Sequence, residues 1–323
     1  MSLRNVSANV TDNTTSYEAP EAAVPISIAV LIICFLILIG NIFIFAAIKV
    51  SNSLNKMTYY LLGNIAITDV LFAFGLGLRM VLFLMNSARF SCLTRFLMVL
   101  SGGGSMSGVL ILSLQSFLCL AFPTKFKSVF KLRTVGLLLL VSWIAWTCYT
   151  AVGNFVAFTD DVCYLVEERN NKYWIGILII SGLTHILVLI FLQSASVYLI
   201  NKQHRKLDRQ IQNANPLNPA DRTNSERRKI RLQRRSRIVS MITAVLLLFL
   251  VSWGPLYLGL ALFTFCPNQC GINLSTMRSL ANLSILNSMG NIFIYIKKSK
   301  EFRQALRYIC RCSNQVGNND SSN

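Results

Sequence analysis

Seven long apolar stretches, nearly free of charge, divide this chain of 323 residues, and no other feature limits its fold as much. The first, Ile26 to Ile48, carries no charged residue and is long enough as a helix to cross about 30 Å of hydrocarbon. The others run roughly over 58–85, 94–122, 134–158, 173–200, 237–265 and 274–296. Hydrocarbon offers no partner to a backbone N–H or C=O, so segments of this length are expected to be helices packed side by side. Composition agrees: 54% hydrophobic residues, 14% charged residues and a mean hydropathy of +0.53 lie far from a soluble domain. No internal repeat is visible, which predicts one bundle rather than an array. The expected fold is all-α, a seven-transmembrane helix bundle over 25–298.

The loops predict which way round the bundle sits. A net charge of +18 would suit a nucleic-acid partner if the basic residues tracked a groove. They gather in alternate loops instead, and nucleic acid is set aside. Two, Lys49 and Lys56, separate spans 1 and 2; four, Lys125, Lys127, Lys131 and Arg133, separate spans 3 and 4; twelve separate spans 5 and 6, and six follow span 7, so that 24 of the 31 Lys and Arg share one face. The positive-inside rule makes that face cytoplasmic, with the amino terminus outside a plasma membrane. Residues 1–24 then form an extracellular tail, where Asn5, Asn9 and Asn13 each head an acceptor triplet for glycosylation.

Residues 201–236 read as a long, mobile cytoplasmic loop without apolar period, its basic end from Arg227 to Arg237 running into the sixth span at the anionic inner leaflet. Beyond the seventh span, Phe302, Ala305, Leu306 and Ile309 recur at helical spacing between Lys300, Arg303, Arg307 and Arg311. This predicts a short cytoplasmic amphipathic helix on the membrane surface over 299–312, followed by a tail, 313–323.

The cysteines follow the same division. Cys92, Cys163, Cys266 and Cys270 fall at or beyond the outer ends of spans, where disulfides persist. Cys92 with Cys163 and Cys266 with Cys270 are the expected pairs, a free Cys163 being the alternative. Cys310 and Cys312 lie in the cytoplasmic tail, as palmitoylation sites or as ordinary reduced thiols. Cys34, Cys119 and Cys148 read as small apolar packing residues.

One apolar span carries a polar seam. In Leu286-Asn287-Ser288-Met289-Gly290-Asn291-Ile292-Phe293-Ile294-Tyr295, the side chains of Asn287, Ser288, Asn291 and Tyr295 share one side of a helix. Such groups are costly against lipid and face a bundle interior or a wet cavity. Their expected partners are Asp69, the one acidic residue inside an apolar span, and Asn41 of the first span.

Taken in order, these motifs resemble the class A, rhodopsin-like G-protein-coupled receptors over about residues 26–312. Gly40-Asn41 stands in the first span, Asn64-Ile65-Ala66-Ile67-Thr68-Asp69 in the second, Trp143 in the fourth, Phe249-Leu250-Val251-Ser252-Trp253-Gly254-Pro255 in the sixth and the polar seam in the seventh. The resemblance implies a receptor that passes an extracellular signal to a heterotrimeric G protein through a helix-bundle switch. Trp253 and Pro255 would form its hinge, because a proline kinks a helix, and Tyr198 and Tyr295 match the family's switch tyrosines. Asp69, Ser105, Asn287, Ser288 and Asn291 occupy positions that surround a sodium ion in the family, and oxygen ligands about one carboxylate suit a hard cation. A hydrogen-bonded Asp69 without an ion is the alternative. No cofactor is expected beyond that ion.

The chain departs from the family pattern in places that matter. Counting back from Pro123, Gln115-Ser116-Phe117 stands where the family has Asp-Arg-Tyr, so the arginine that locks the resting state and contacts the G protein is Ser116. Arg235 takes the place of the usual acidic partner in span 6. Ile292 replaces a seventh-span proline, which predicts a straighter helix there.

Amine receptors carry an aspartate where Met98 stands, and visual pigments a lysine at Ile285, so lipid or peptide ligands are favoured over amine or retinal. The missing fifth-span proline, near Ile190, and the Cys266 to Cys270 spacing loosely resemble the melanocortin, lysophospholipid, cannabinoid and adenosine branch. Arg95, with Met98 and Trp253, would line the ligand site, and Arg95 suits an anionic headgroup or reaches to water.

Other classes fit less well. A sodium- or proton-coupled transporter should show inverted repeats and broken helices. An enzyme is not expected, since His185 and His204 have no metal-ligand spacing around them. A receptor-shaped binding or dimerising partner that no longer couples remains the main alternative, because the arginine is lost.

Overall fold

The computed structural model describes residues 23–50, 56–85, 91–157, 172–212, 219–266, 274–300 and 302–309. Expectations for Asn5, Asn9, Asn13, Cys163, Cys270, Cys310 and Cys312 fall outside these. The described residues are almost wholly helical: α1 (Ala23–Val50), α2 (Lys56–Leu84), α3 (Ser91–Ala121), α4 (Pro123–Val129), α5 (Leu132–Ala157), α6 (Lys172–Gln212), α7 (Pro219–Phe265), α8 (Leu274–Asn282), α9 (Ser284–Lys298) and α10 (302–309).

Six of these helices, α1, α2, α3, α5, α6 and α7, are each long and apolar enough to cross a membrane. The seventh crossing is made of two pieces, α8 and α9. Ile292 lies inside α9, which runs unbroken from Ser284 to Lys298, and a turn at Leu283, more than two turns before Ile292, separates α9 from α8. There Leu283 N–H donates to Leu280 O (3.1 Å) and Leu286 N–H to Leu283 O (3.0 Å), three-residue bonds that tighten the helix. The Ser284 hydroxyl takes the Ala281 carbonyl at 2.6 Å, a local side-chain bond that favours bending.

Helix α3 is the axis. Two-thirds of its apolar stretch is buried (67%), against 22% for α5, so α3 packs on neighbours around most of its circumference while α5 meets lipid. Side chains such as Phe35, Leu137, Leu187, Phe191 and Val251 are more than half exposed on the outer faces of their helices. In water such a surface would be an association patch; around a bundle of this length it is the face for acyl chains.

The stretch 201–236 is not the long loop expected from its composition. It continues α6 through Gln212 and resumes as α7 from Pro219. Lys, Arg, Gln and Leu are good helix formers, and the strongly helical spans on either side supply the nucleus, so polar composition alone does not break the helix.

The amphipathic helix past the seventh span is present. Phe302 and Ala305 are buried, Leu306 and Ile309 pack against the same core, and Arg307 points outward. Ser299 caps it, its hydroxyl accepting the Phe302 N–H at 3.1 Å. Arg303 donates to the carbonyls of Ile296 and Lys297, satisfying the end of α9.

Candidate functional site: a polar and aromatic column through the bundle

The seam of α9 faces inward as its spacing requires: Asn287, Ser288, Asn291 and Tyr295 are all buried. Asp69 of α2, 1% exposed, is its main partner. Asn291 Nδ2 donates to Asp69 Oδ2 at 2.9 Å, and the Ser288 hydroxyl donates to the same carboxyl group. Asn41 joins less directly. Its amide donates to Ile37 O in its own helix, which leaves its Oδ1 buried without a protein partner. Ile292 presses on Gly40, where an added Cβ would lie 2.9 Å from Ile292 Cδ1, so the residue in the proline position becomes a contact between α9 and α1.

Three of the five sequence-predicted ion ligands, Asp69, Ser288 and Asn291, are therefore hydrogen-bonded together, and Ser105 and Asn287 are buried on α3 and α9. Ser105 Oγ, Asn291 Oδ1 and Asn41 Oδ1 are buried oxygens without a protein donor. One carboxylate with neutral oxygens is a donor set for a hard monovalent ion, and the residues fit sodium in that chemical sense. Among the described residues no three His, Cys, Asp or Glu side chains cluster, so a transition-metal set is not formed there.

A second feature, which the sequence reading passed over, organises the layer above. Gly102, Gly103 and Gly104 are consecutive on α3, and a helix turns about 100° per residue, so they open three directions. Each receives an indole. Gly102 meets Trp253 of α7, Gly103 lies flat under Trp146 of α5, and Gly104 meets Trp143 and Thr68. A Cβ at 102 would sit 2.8 Å from Trp253, and one at 103 would overlap the Trp146 ring. The three-glycine run inside an apolar span was legible as an anomaly, since each glycine costs a helix about 1 kcal/mol and needs a packing reason.

The indoles are also tied by polar bonds. Trp143 Nε1 donates to Asn64 Oδ1 at 2.8 Å, and Trp146 Nε1 to Ser107 Oγ at 3.0 Å. Trp253 Nε1 is buried without an acceptor. Its ring is stacked on Phe249, edge-on to Phe72 and tilted against Tyr257, so rotating it disturbs α2, α3 and α7 together. Helix α7 runs through Pro255 two residues on.

Arg95, Met98 and Gly102 follow one another at three and four residues on α3, a single column that ends on Trp253. Arg95 is half-buried and interacts with Tyr149 of α5, rather than pointing only to water. Tyr149 stands edge-on to Trp146, whose other neighbour is His185. His185 Nδ1 donates to Ser181 O at 2.7 Å, a satisfied side chain as expected.

At the end of the bundle that carries Gln115 and Arg235, expected to be cytoplasmic, the structure redistributes the expected residues. Gln115 and Ser116 are buried rather than facing a partner, and Phe117 and Arg235 are half-buried. Gln115 Nε2 donates to Thr58 Oγ1 at 3.2 Å, tying α3 to α2. Sequence reading did not find two further ties: Gln193 Nε2 of α6 bonds Thr243 Oγ1 at 2.6 Å and Val239 O at 3.1 Å, and Lys298 Nζ of α9 bonds Ser240 Oγ at 3.1 Å on α7.

Tyr198 does not join Tyr295. It is 64% exposed on the outer face of α6, because Gln193, Ser196 and Ile200 take the inner face, whereas Tyr295 is 1% exposed. Cys92 and Cys266 each belong to a disulfide with a cysteine outside the described residues, and Cys34 is buried, but Cys148 is exposed on a lipid-facing side of α5.

A bundle of crossing helices with one buried carboxylate bound to the seventh crossing, and an aromatic column above it, defines a multi-pass membrane receptor architecture. Residues 40–295 match the family model of the 7 transmembrane receptor (rhodopsin family), and the chain belongs to that family. It is similar to melanocortin receptor 5 of Mus musculus, with 22% identity over 290 residues, which spans 85% of this chain and 81% of that protein. The family is one of receptors rather than enzymes.

Proposed function

We propose that this protein is a plasma-membrane receptor, amino terminus outside, that couples an extracellular ligand to heterotrimeric G proteins. The observation that carries the reading is the column from Arg95 and Met98 through Trp253, which lies in one bundle with the buried Asp69–Asn291–Ser288 cluster. A ligand that moves Trp253 changes the packing of α3 and α7, and a bundle with two packings turns differential ligand affinity into a shift of population. Lipid or peptide ligands are favoured over amines and retinal, given Met98 and Ile285 at the positions those classes use. Sodium is proposed as an allosteric ion at Asp69, held by the oxygens of Ser105, Asn287, Ser288 and Asn291.

A second reading, a receptor-shaped binding or dimerising partner that does not couple, is supported by Ser116 in place of the arginine and by its burial beside the Gln115–Thr58 bond. A G-protein activation assay on the full chain in cells, across lipid, peptide and nucleoside panels, separates the two. Ligand-dependent or constitutive nucleotide exchange supports coupling. Surface expression with saturable ligand binding and no exchange across G-protein classes supports the silent partner.

A further inference from the structure

The cytoplasmic end carries a cleft that the receptor reading does not use. It is a cavity of about 40 Å³, enough for a few water-sized groups, lined by Thr58 and Tyr59 of α2, Arg234 and Arg237 of α7, and Lys298 and Ser299 at the end of α9, over an apolar floor. Three cations and three hydroxyls converge there, and among the described residues no carboxylate lines it.

Two of the cations, Lys298 and Arg237, reach the cleft with neutral partners. Lys298 Nζ bonds the Ser240 hydroxyl, and Arg237 Nε takes Gln233 O at 3.4 Å in its own helix. Among the described residues neither Arg237 nor Lys298 pairs with a carboxylate. Arg234 and Arg237 are three residues apart on one helical face, where like charges repel. Residues 227–237 add Arg227, Arg228, Lys229, Arg231 and Arg235 to the same field. A cleft with this lining recognises an anion that accepts several donors at once; guanidinium forks match phosphate oxygens, and hydroxyls complete the shell.

We propose that this cleft binds a phosphate monoester, from either the headgroup of a polyphosphorylated inositol lipid or a soluble inositol phosphate. Bound there, the anion bridges α2, α7 and α9 and touches Ser299, the cap of α10, so it staples the cytoplasmic ends together. Binding measured in nanodiscs depends neither on coupling nor on which end of the chain is outside, because both faces of a nanodisc are open to solution.

The test is the thermal midpoint of the full-length protein in phosphatidylcholine nanodiscs. One arm adds a few mole per cent of phosphatidylinositol 4,5-bisphosphate, a second adds phosphatidylserine at matched charge, and a third adds soluble inositol trisphosphate to plain discs. The inositol lipid is expected to raise the midpoint by about 2–4 °C. A similar rise in the third arm assigns the soluble source to the same cleft, and a rise confined to the first assigns the lipid.

The rise should vanish in R234Q/R237Q/K298Q and survive in R227Q/K229Q/R231Q, which removes equal charge from exposed positions of α7. K298Q alone should shift the half-maximal dose upward several-fold, which keeps the test open if the triple variant folds poorly. An equal rise with phosphatidylserine, an unaltered response in the R234Q/R237Q/K298Q and K298Q variants, or no rise with either inositol probe overturns the proposal.

Discussion

The middle of the bundle and the edge that carries Lys298 hold the same helices together with different chemistry. In the middle, Asp69 receives Asn291 and Ser288, and all three are buried. At the edge, Lys298 donates to the Ser240 hydroxyl in an exposed position, and Ser116 and Arg235 form no charge pair. A buried polar group that loses its partner is left unsatisfied at a cost of about 1–3 kcal/mol, whereas water replaces a partner lost at the edge. The middle therefore needs every member of its polar cluster, while an exposed tie such as Lys298 to Ser240 can be given up to water.

That contrast can be broken from either side. The largest effect belongs to the middle, at the glycine run. Gly103→Val, which forces a branched side chain into the Trp146 ring, is expected to lower stability by about 3 kcal/mol and to cut surface expression. Gly176→Ala, with nothing within 4 Å of the added Cβ, should instead gain up to about 1 kcal/mol. Thermal midpoints of the two in detergent give the comparison; equal effects would remove close indole packing as the reason for the run.

Next comes the carboxylate. Asn291→Leu takes one donor from the buried Asp69 and should cost about 2 kcal/mol, read as a fall in thermal midpoint. A fall no larger than that of an exposed substitution on α10 would mean the bond does not hold α2 to α9.

Sodium at about ten times its dissociation constant should add about 1.4 kcal/mol to the parent, since an ion held only by the folded state stabilises it. Asp69→Ala should abolish the increment. An equal shift with potassium or choline in parent and mutant defeats the ion site and leaves the hydrogen-bonded cluster standing.

The smallest effect lies at the edge. With Ser116 on α3 and Arg235 on α7 no charge pair joins the two helices, and without a cation at 116 one contact to a G protein is also lost; each is worth on the order of 1 kcal/mol. The first loss raises basal activity and the second lowers coupling. The contact to the G protein exists only in the active state, so weakened coupling should dominate, and Ser116→Arg is expected to increase signalling at matched surface expression. Because Ser116 is buried beside Gln115, the new side chain must reach past Gln115–Thr58 to the inner surface. A decrease would show that this seam is itself the coupling geometry.

Length and hydropathy determined the helical bundle from the sequence alone, because a 20-residue apolar run has few other fates in hydrocarbon. The inward face of α9 and its union with Asp69 were also legible, since a periodic polar stripe in lipid must find partners and only one carboxylate lay inside a span. So was the helix after α9, whose apolar residues recur every three or four positions. Only the tertiary structure decided the rest. The outward face of Tyr198 follows from Gln193, Ser196 and Ile200 packing inward, and the three indoles on Gly102, Gly103 and Gly104 join residues some 40 to 150 positions apart. The cationic cleft likewise brings together α2, α7 and α9. Periodicity reports which side of a helix is apolar; which helix fills that side is set by packing among all of them, and no single stretch of sequence contains it.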